Sequence, residues 1–315
     1  MSEPPSQNVA LVGLGSIGIS FAALHLRFGA GTVTVFDTRP DLEQHIESVL
    51  PGYLSDEPDA AAILSQLRTQ GRLVICGSLA EACADADVIQ EQGPENIRFK
   101  REIWVEVEES AKPTAHFWSS TSGIGASLQS QDMKDPSRLL VVHPFNPPHI
   151  MPLIEIVPSP KTDPQEVEFA RDYFDKLGSG HRPVVIKKEV PGFVGNRLAF
   201  TLLREASFLV KNDIVSVKDV DAIIEASLGP RFAVQGPFRA YHMGGGTAGI
   251  RAFLDNLGGT IQGVWDSQEG VEFGSGDRWE EKVAKQTEEA YGMPDPWQFA
   301  ERDEKLRRVL DTQRK

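Results

Sequence analysis

Residues 8–37, NVALVGLGSIGISFAALHLRFGAGTVTVFD, leave this chain few choices of fold. Residues 8–12 read as a short apolar strand that runs straight into Gly13-Leu14-Gly15-Ser16-Ile17-Gly18. Residues 19–28 then carry helical periodicity until glycines at 29 and 31 stop it, and 32–36 form a second strand followed by Asp37. A G-x-G-x-x-G alone is a weak signal. Framed by a strand, a helix and an acid about 20 residues on, it is a dinucleotide-binding fingerprint. Gly13 permits the tight turn, Gly15 lets the backbone approach a diphosphate, and Gly18 lets the helix pack closely on the strand. The helix N-terminus supplies N–H donors to the phosphates. Asp37 suits the adenosine ribose and would repel a 2′-phosphate, which favours NAD over NADP, although Arg39 leaves that preference open.

The alternation continues. Strands are expected at 73–76, 86–89, 115–118, 139–142, 153–157 and 182–186, with a long helix at 97–110 and a helix opened by a Thr162/Gln165 capping box. This pattern specifies an α/β protein, a Rossmann-type doubly wound parallel sheet. Strand signals cease at KKEVPGFVGN, so the boundary falls near 190: a nucleotide-binding domain at 1–190 and an all-helical domain at 191–315. In the latter, helices are expected at 197–211, after a Ser216/Asp219 cap and up to Gly229-Pro230, at 278–291 and at 297–311.

Within LLVVHPFNPPHIMPLIEIV, residues 139–157, His143 ends one apolar run and Glu155 interrupts another. Strand alternation puts Glu155 on the face of Leu153 and Val157. A carboxylate buried there needs a cation or an imidazole within reach, and His143 is the candidate; the competing reading is an exposed edge strand with His143 at its end. Ser122, in the small-residue loop STSG after the fifth strand, sits where ligands of open α/β sheets bind, or merely caps a turn. Asn196 either caps a helix or points its amide at the substrate.

The net charge of −13 argues against nucleic acid or an anionic membrane as the partner. Two cysteines, Cys76 and Cys83, are too few for a metal cage or a disulfide framework, so no metal is expected and a reducing compartment is. The polar N-terminus lacks signal-peptide features, and no run of about 18 apolar residues occurs, which leads to the expectation of a cytoplasmic protein.

GLGSIG, STSG, HPFNP with Glu155 twelve residues past the histidine, and PGFVGNR together resemble the 3-hydroxyacyl-CoA dehydrogenase family from residue 8 to about 260. HPFNPPH, PLIEIVP, GPRFAVQGPF and YHMGGG are similar to its branch of CoA-free substrates, the L-carnitine dehydrogenases and the L-gulonate 3-dehydrogenases related to lambda-crystallin. The resemblance implies His143 as the base, Glu155 as its orienting carboxylate, and Ser122 and Asn196 as polar contacts to the reacting oxygen. For NAD it implies Gly13, Leu14, Gly15, Ser16, Ile17, Gly18, Asp37, Arg39, Glu95 and Lys100. For a small hydroxy or keto acid the candidates are Ser122 and Asn196, with Asn146, which either holds the HPFNP turn or touches substrate, and Arg231 in GPRF, which either holds a substrate carboxylate or is an interface or surface residue. A homodimer through the helical domain is expected as well. Acyl-CoA members carry a lysine-rich insert after the second strand, whereas 41–67 here has Asp41, Glu43, Glu47, Asp56, Glu57 and Asp59 and no Lys or Arg. That charge disfavours a phosphorylated tail. The alternatives are a true acyl-CoA dehydrogenase, a lysine-based β-hydroxyacid dehydrogenase that would not need His143, and a crystallin-like binding protein.

Overall fold

A computed structural model describes residues 4–55 and 60–313. Its strands are β1 (Val9–Val12), β2 (Val33–Phe36), β3 (Leu73–Ile75), β4 (Val88–Glu91), β5 (His116–Ser119), β6 (Leu139–Pro144), β7 (Leu153–Pro158) and β8 (Arg182–Val185). They form one sheet in the order β3-β2-β1-β4-β5-β6-β7-β8. Around them run α1 (Ser16–Phe28), α2 (Leu42–Val49), α3 (Pro51–Leu54), α4 (Ala60–Thr69), α5 (Leu79–Cys83), α6 (Ile97–Ser110), α7 (Ala126–Gln129) and α8 (Pro164–Lys176). Then come α9 (Gly195–Lys211), α10 (Val217–Ala226), α11 (Leu228–Val234), α12 (Pro237–Gly244), α13 (Gly249–Asp266), α14 (Trp279–Tyr291) and α15 (Pro296–Gln313). This is the expected Rossmann-type sheet followed by helices.

Central strands are covered on both faces, which is why they read as unbroken apolar runs. Along β6 the side chains alternate between two cores: Leu140 and Val142 join Phe21, Leu24, Trp118 and Phe174, while Leu139 and Val141 join Ile89, Trp104 and Phe117. Pairing is parallel throughout except between β6 and β7, which run antiparallel. The link 145–152 is too short for the crossover that parallel strands require, so the chain turns straight back. The resulting register sets His143 opposite Glu155.

Two helix boundaries differ from expectation. Asp163, not Thr162, caps α8 by accepting from the Gln165 amide at 2.9 Å, because Pro164 starts the helix with its φ already set. Thr162 donates instead to the Leu139 carbonyl at 2.7 Å. Gly229-Pro230 does not end α10 but lies in the first turn of α11, where the missing proline N–H leaves no helical bond unmade. Ser216 does cap α10 through the Asp219 amide. The chain divides into two compact units, Met1–Arg197 and Leu198–Lys315.

One buried polar chain ties the nucleotide helix to the sheet. Gln90 donates through Nε2 to Ser120 Oγ at 3.1 Å, so its Oε1 accepts from His25 Nε2, also at 3.1 Å. His25 Nδ1 is thereby the acceptor for the Tyr173 hydroxyl at 2.9 Å. Burial pushes His25 down to about 4, against the opposing effect of the Gln90 bond and with help from the His181 charge. The native state therefore binds fewer protons here than the unfolded chain between the two values, and stability rises with pH from about 4 to about 6.5. Lowering the pH from 6.5 to 5, above the carboxylate range, is expected to cost roughly 2 kcal/mol through this group. Urea unfolding of the wild type against His25→Phe checks it: an equal pH dependence in both would remove His25 as the cause.

Candidate active site

His143 lies near the end of β6 and is 5% exposed, with its ring between Phe145 and Phe193 at centroid distances of 5.7 and 5.4 Å. Its Nδ1 meets Glu155 Oε2 at 2.8 Å. Glu155, 2% exposed, does not sit on an edge, because β8 pairs with β7 on its far side. The other carboxylate oxygen accepts from the amides of Val194 at 3.0 Å and Gly195 at 2.9 Å. Burial alone would raise the Glu155 carboxyl, but the His143 bond and these two amides outweigh it and hold it below the usual carboxylate range. An ionised Glu155 can only accept, so Nδ1 carries the imidazole proton and Nε2 keeps its lone pair. Such a histidine can take a proton at Nε2, with a carboxylate beside the charge that forms.

The segment 192–196 joins this pair to the STSG loop. Phe193 has a positive φ of 51° and no exposed surface, so the packing of its ring beside His143 offsets a conformation that L-residues avoid. Two residues on, Asn196 Nδ2 donates to the Ser122 carbonyl at 3.0 Å. Ser122 stands exposed, its amide and hydroxyl 3.1 and 3.3 Å from Glu95 Oε1, which also accepts from Thr121 Oγ1 and the Gly123 amide. One carboxylate oxygen thus gathers the whole turn. His143, Glu155, Ser122 and Asn196 are brought together in the first unit through this segment. PGFVGNR marked this segment in the sequence, but not the packing of Phe193 on His143 or the two amides on Glu155, since contacts between distant residues and backbone donors are silent in a sequence.

The glycine turn is built as its spacing required. Gly13 has φ +97°, and a methyl on Gly18 would overlap the Gly13 carbonyl oxygen. Gly15 caps α1 with no side-chain bond and nothing within 4 Å of its missing Cβ, which leaves the helix N-terminus open. Leu14 donates its amide to Asp37 Oδ2 at 2.5 Å and Arg39 donates its amide to Oδ1 at 2.8 Å. Ser16 and Ile17 form the first turn of α1. A cavity of about 340 Å³ lies here, walled by Gly13, Gly15, Asp37, Gln92, Gly93 and Phe99 among others.

Residues 8–190 match the family model described as 3-hydroxyacyl-CoA dehydrogenase, NAD binding domain, and residues 192–268 match that of the C-terminal domain. The chain belongs to the 3-hydroxyacyl-CoA dehydrogenase family. It is an NAD-dependent dehydrogenase acting on a hydroxyl group. An L-carnitine dehydrogenase of Mesorhizobium japonicum is 37% identical over 257 residues, 81% of this chain and 69% of that one. A 3-hydroxyacyl-CoA dehydrogenase of Gibberella moniliformis is 36% identical over 267 residues, 82% of this chain and 80% of its own length. Among solved structures, an NAD+-dependent 5-formyl-3-hydroxy-2-methylpyridine 4-carboxylic acid 5-dehydrogenase, described as a dismutase, superposes with a TM-score of 0.81 at 29% identity, covering 98% of this chain and 99% of that one.

The glycine turn fits the family's NAD: an open helix N-terminus for the diphosphate, Asp37 for the ribose, and a buried amide on Gln92 with no partner among the described residues. Arg39 does not reach for a 2′-phosphate, since its guanidinium is paired with Asp41 at 2.8 and 3.0 Å. Lys100, which the resemblance places at the cofactor, is fully buried and bonded to both oxygens of Glu91 at 2.9 Å, with Glu95 3.9 Å away. It does not wall the cavity. Asn146 is exposed in the turn after β6, and Arg231 is exposed on α11 of the second unit. Gly18→Ala is expected to shift the turn and lose at least one charge-assisted donor, raising the NAD dissociation constant roughly tenfold to a hundredfold. Fluorescence titration with NADH reads it; unchanged affinity would mean the turn yields without loss.

Proposed function

We propose that this dehydrogenase interconverts a small L-3-hydroxy acid of the carnitine or gulonate type and its 3-keto acid, with His143 as the base and Glu155 as its orienting carboxylate. The observation that carries the reading is the 2.8 Å contact of Glu155 with His143 Nδ1, which leaves Nε2 as the acceptor. NAD, when bound, accepts the hydride from the alcohol carbon. His143 Nε2 takes the hydroxyl proton as the C–O bond becomes a carbonyl, and Glu155 stabilises the imidazolium. Asn196 and Ser122, linked by the bond from Asn196 Nδ2 to the Ser122 carbonyl, are the polar contacts proposed for the reacting oxygen. In the reverse direction His143 returns the proton.

Two lines support a free acid over a thioester. L-carnitine dehydrogenase relatives cover most of the chain, and the fully overlapping solved structure also acts on a small carboxylic acid. The insert is also poor in free positive charge: Arg68, just beyond it, is bound to Glu43 and Glu47. Asp56, Glu57 and Asp59 lie outside the described residues. The Gibberella relative supports the second reading, a CoA thioester. A panel of carnitine, gulonate, 3-hydroxybutyrate and 3-hydroxybutyryl-CoA, with NAD reduction followed by absorbance, decides between them. Equal or better turnover of the thioester would overturn the free-acid reading.

The second unit serves as substrate and dimerisation domain on this reading, with Arg231 available to a substrate carboxylate. Among its described residues only Val210, Val217, Val271 and Trp279 are buried hydrophobics, while Phe200, Leu203, Phe238 and Trp265 are 51–84% exposed. Apolar exposure on that scale suits a covering surface, and a second copy of the chain supplies one. Light scattering that returned a single-chain mass at micromolar concentration would refute the homodimer. No helix among the described residues is long and apolar enough to cross a membrane, and the cytoplasm remains the proposed location.

A further inference from the structure

We infer that the side-chain amide of Gln92 is a direct ligand of the cofactor's diphosphate. Gln92 follows β4, and its backbone amide donates to the Val12 carbonyl at 2.8 Å. That bond fixes it at the crevice between β1 and β4, where the strand order reverses and ligands of open α/β sheets bind. The side chain turns toward the glycine loop: Oε1 lies 3.4 Å from the place a Cβ on Gly18 would occupy, against the first turn of α1. Gln92 also walls the cavity that Gly13, Gly15 and Asp37 line.

Neither Nε2 nor Oε1 has a hydrogen-bond partner among the described residues, and neither is exposed. Buried amides in folded proteins are almost always paired, so a pair of orphaned atoms beside a ligand cradle points to the ligand. The group that belongs beside the first turn of α1 is an anion, because the helix dipole and the unpaired N–H groups there favour one. A glutamine suits it better than other residues of its size. Glutamate would repel the anion and methionine would offer no donor, whereas Nε2 adds a neutral donor to those of the loop. Asp37, by contrast, follows β2 and accepts from the Leu14 and Arg39 amides at the same cavity, and is the residue assigned to the ribose. The inference rests on NAD occupying this turn.

Isothermal titration of the full chain with NAD, ADP and adenosine separates the parts. With Gln92→Met, the dissociation constants of NAD and ADP are expected to rise about tenfold, and with Gln92→Glu about a hundredfold, while adenosine changes less than about twofold. In 15N-labelled wild type, which needs no substitution to fold, the Gln92 side-chain amide signals should shift with ADP and not with adenosine. Unchanged ADP affinity in both variants, amide signals indifferent to ADP, or adenosine weakened as much as ADP would each overturn the assignment. Wild type that bound no NAD would be a different failure, that of the cofactor site as a whole.

Discussion

Replacing His143 with alanine is expected to lower kcat by about two to four orders of magnitude, the usual contribution of a positioned general base, with the NAD dissociation constant unchanged. The two other carboxylates of the cluster are already engaged. Glu155 is held below the usual carboxylate range and spends its oxygens on Val194, Gly195 and His143 itself, and Glu95 is occupied with the 121–123 turn. His143 is packed between two phenyl rings, so truncation also leaves a hole, and His143→Gln, which fills it, should be nearly as slow. Steady-state rates with the best hydroxy acid, beside NADH titration, provide the check. A variant with more than about a tenth of wild-type kcat would mean that the proton leaves by another route.

Glu155→Gln is expected to be almost as damaging, although it alters no volume. An amide must turn its NH2 either toward Val194 and Gly195 or toward His143. In the first case two buried N–H groups face donors, at about 1–3 kcal/mol each, and the segment that carries Asn196 loosens. In the second, the amide donates to Nδ1, the imidazole proton moves to Nε2, and the nitrogen needed as base is occupied. For a histidine held in the wrong tautomer, a fall of about 10⁴ in kcat is the precedent in a serine protease triad. Retention of the wild-type rate would show that Glu155 only supports the β6/β7 register. The carboxylate carries a stability dependence too: its depressed value means stability present above the ordinary carboxyl range and lost as pH falls through the lowered one.

Most of this architecture could be read before any coordinates. The glycine turn, the strand–helix alternation and the end of the strands near 190 all follow from local periodicity and glycine stereochemistry, which act over a few residues. Helix α6 lies where its pattern put it, Ile97–Ser110. Both misplaced boundaries turn on a proline that starts a helix: Pro164 made Asp163 rather than Thr162 the cap of α8, and Pro230 lies in the first turn of α11 instead of ending α10. Lys100 could be named from motif position, but not its burial against Glu91, since nothing local tells an exposed lysine from one whose ammonium is wholly taken.

From its residues alone the chain was committed to a nucleotide-binding α/β fold, because glycine at 13, 15 and 18 between a strand and a helix has few other uses. The presence of one histidine and one glutamate in apolar surroundings was equally plain, because burying either unpaired is costly. Their meeting was one of two readings, against an exposed edge strand. It required β7 to run back against β6 in a register that sets residue 143 against 155, and the backbone of 192–196 to fold over the carboxylate with its amides aimed at one oxygen. Hydrogen bonds across strands and from distant backbone depend on where remote parts of the chain come to rest, and a pattern read over neighbouring residues holds no record of that.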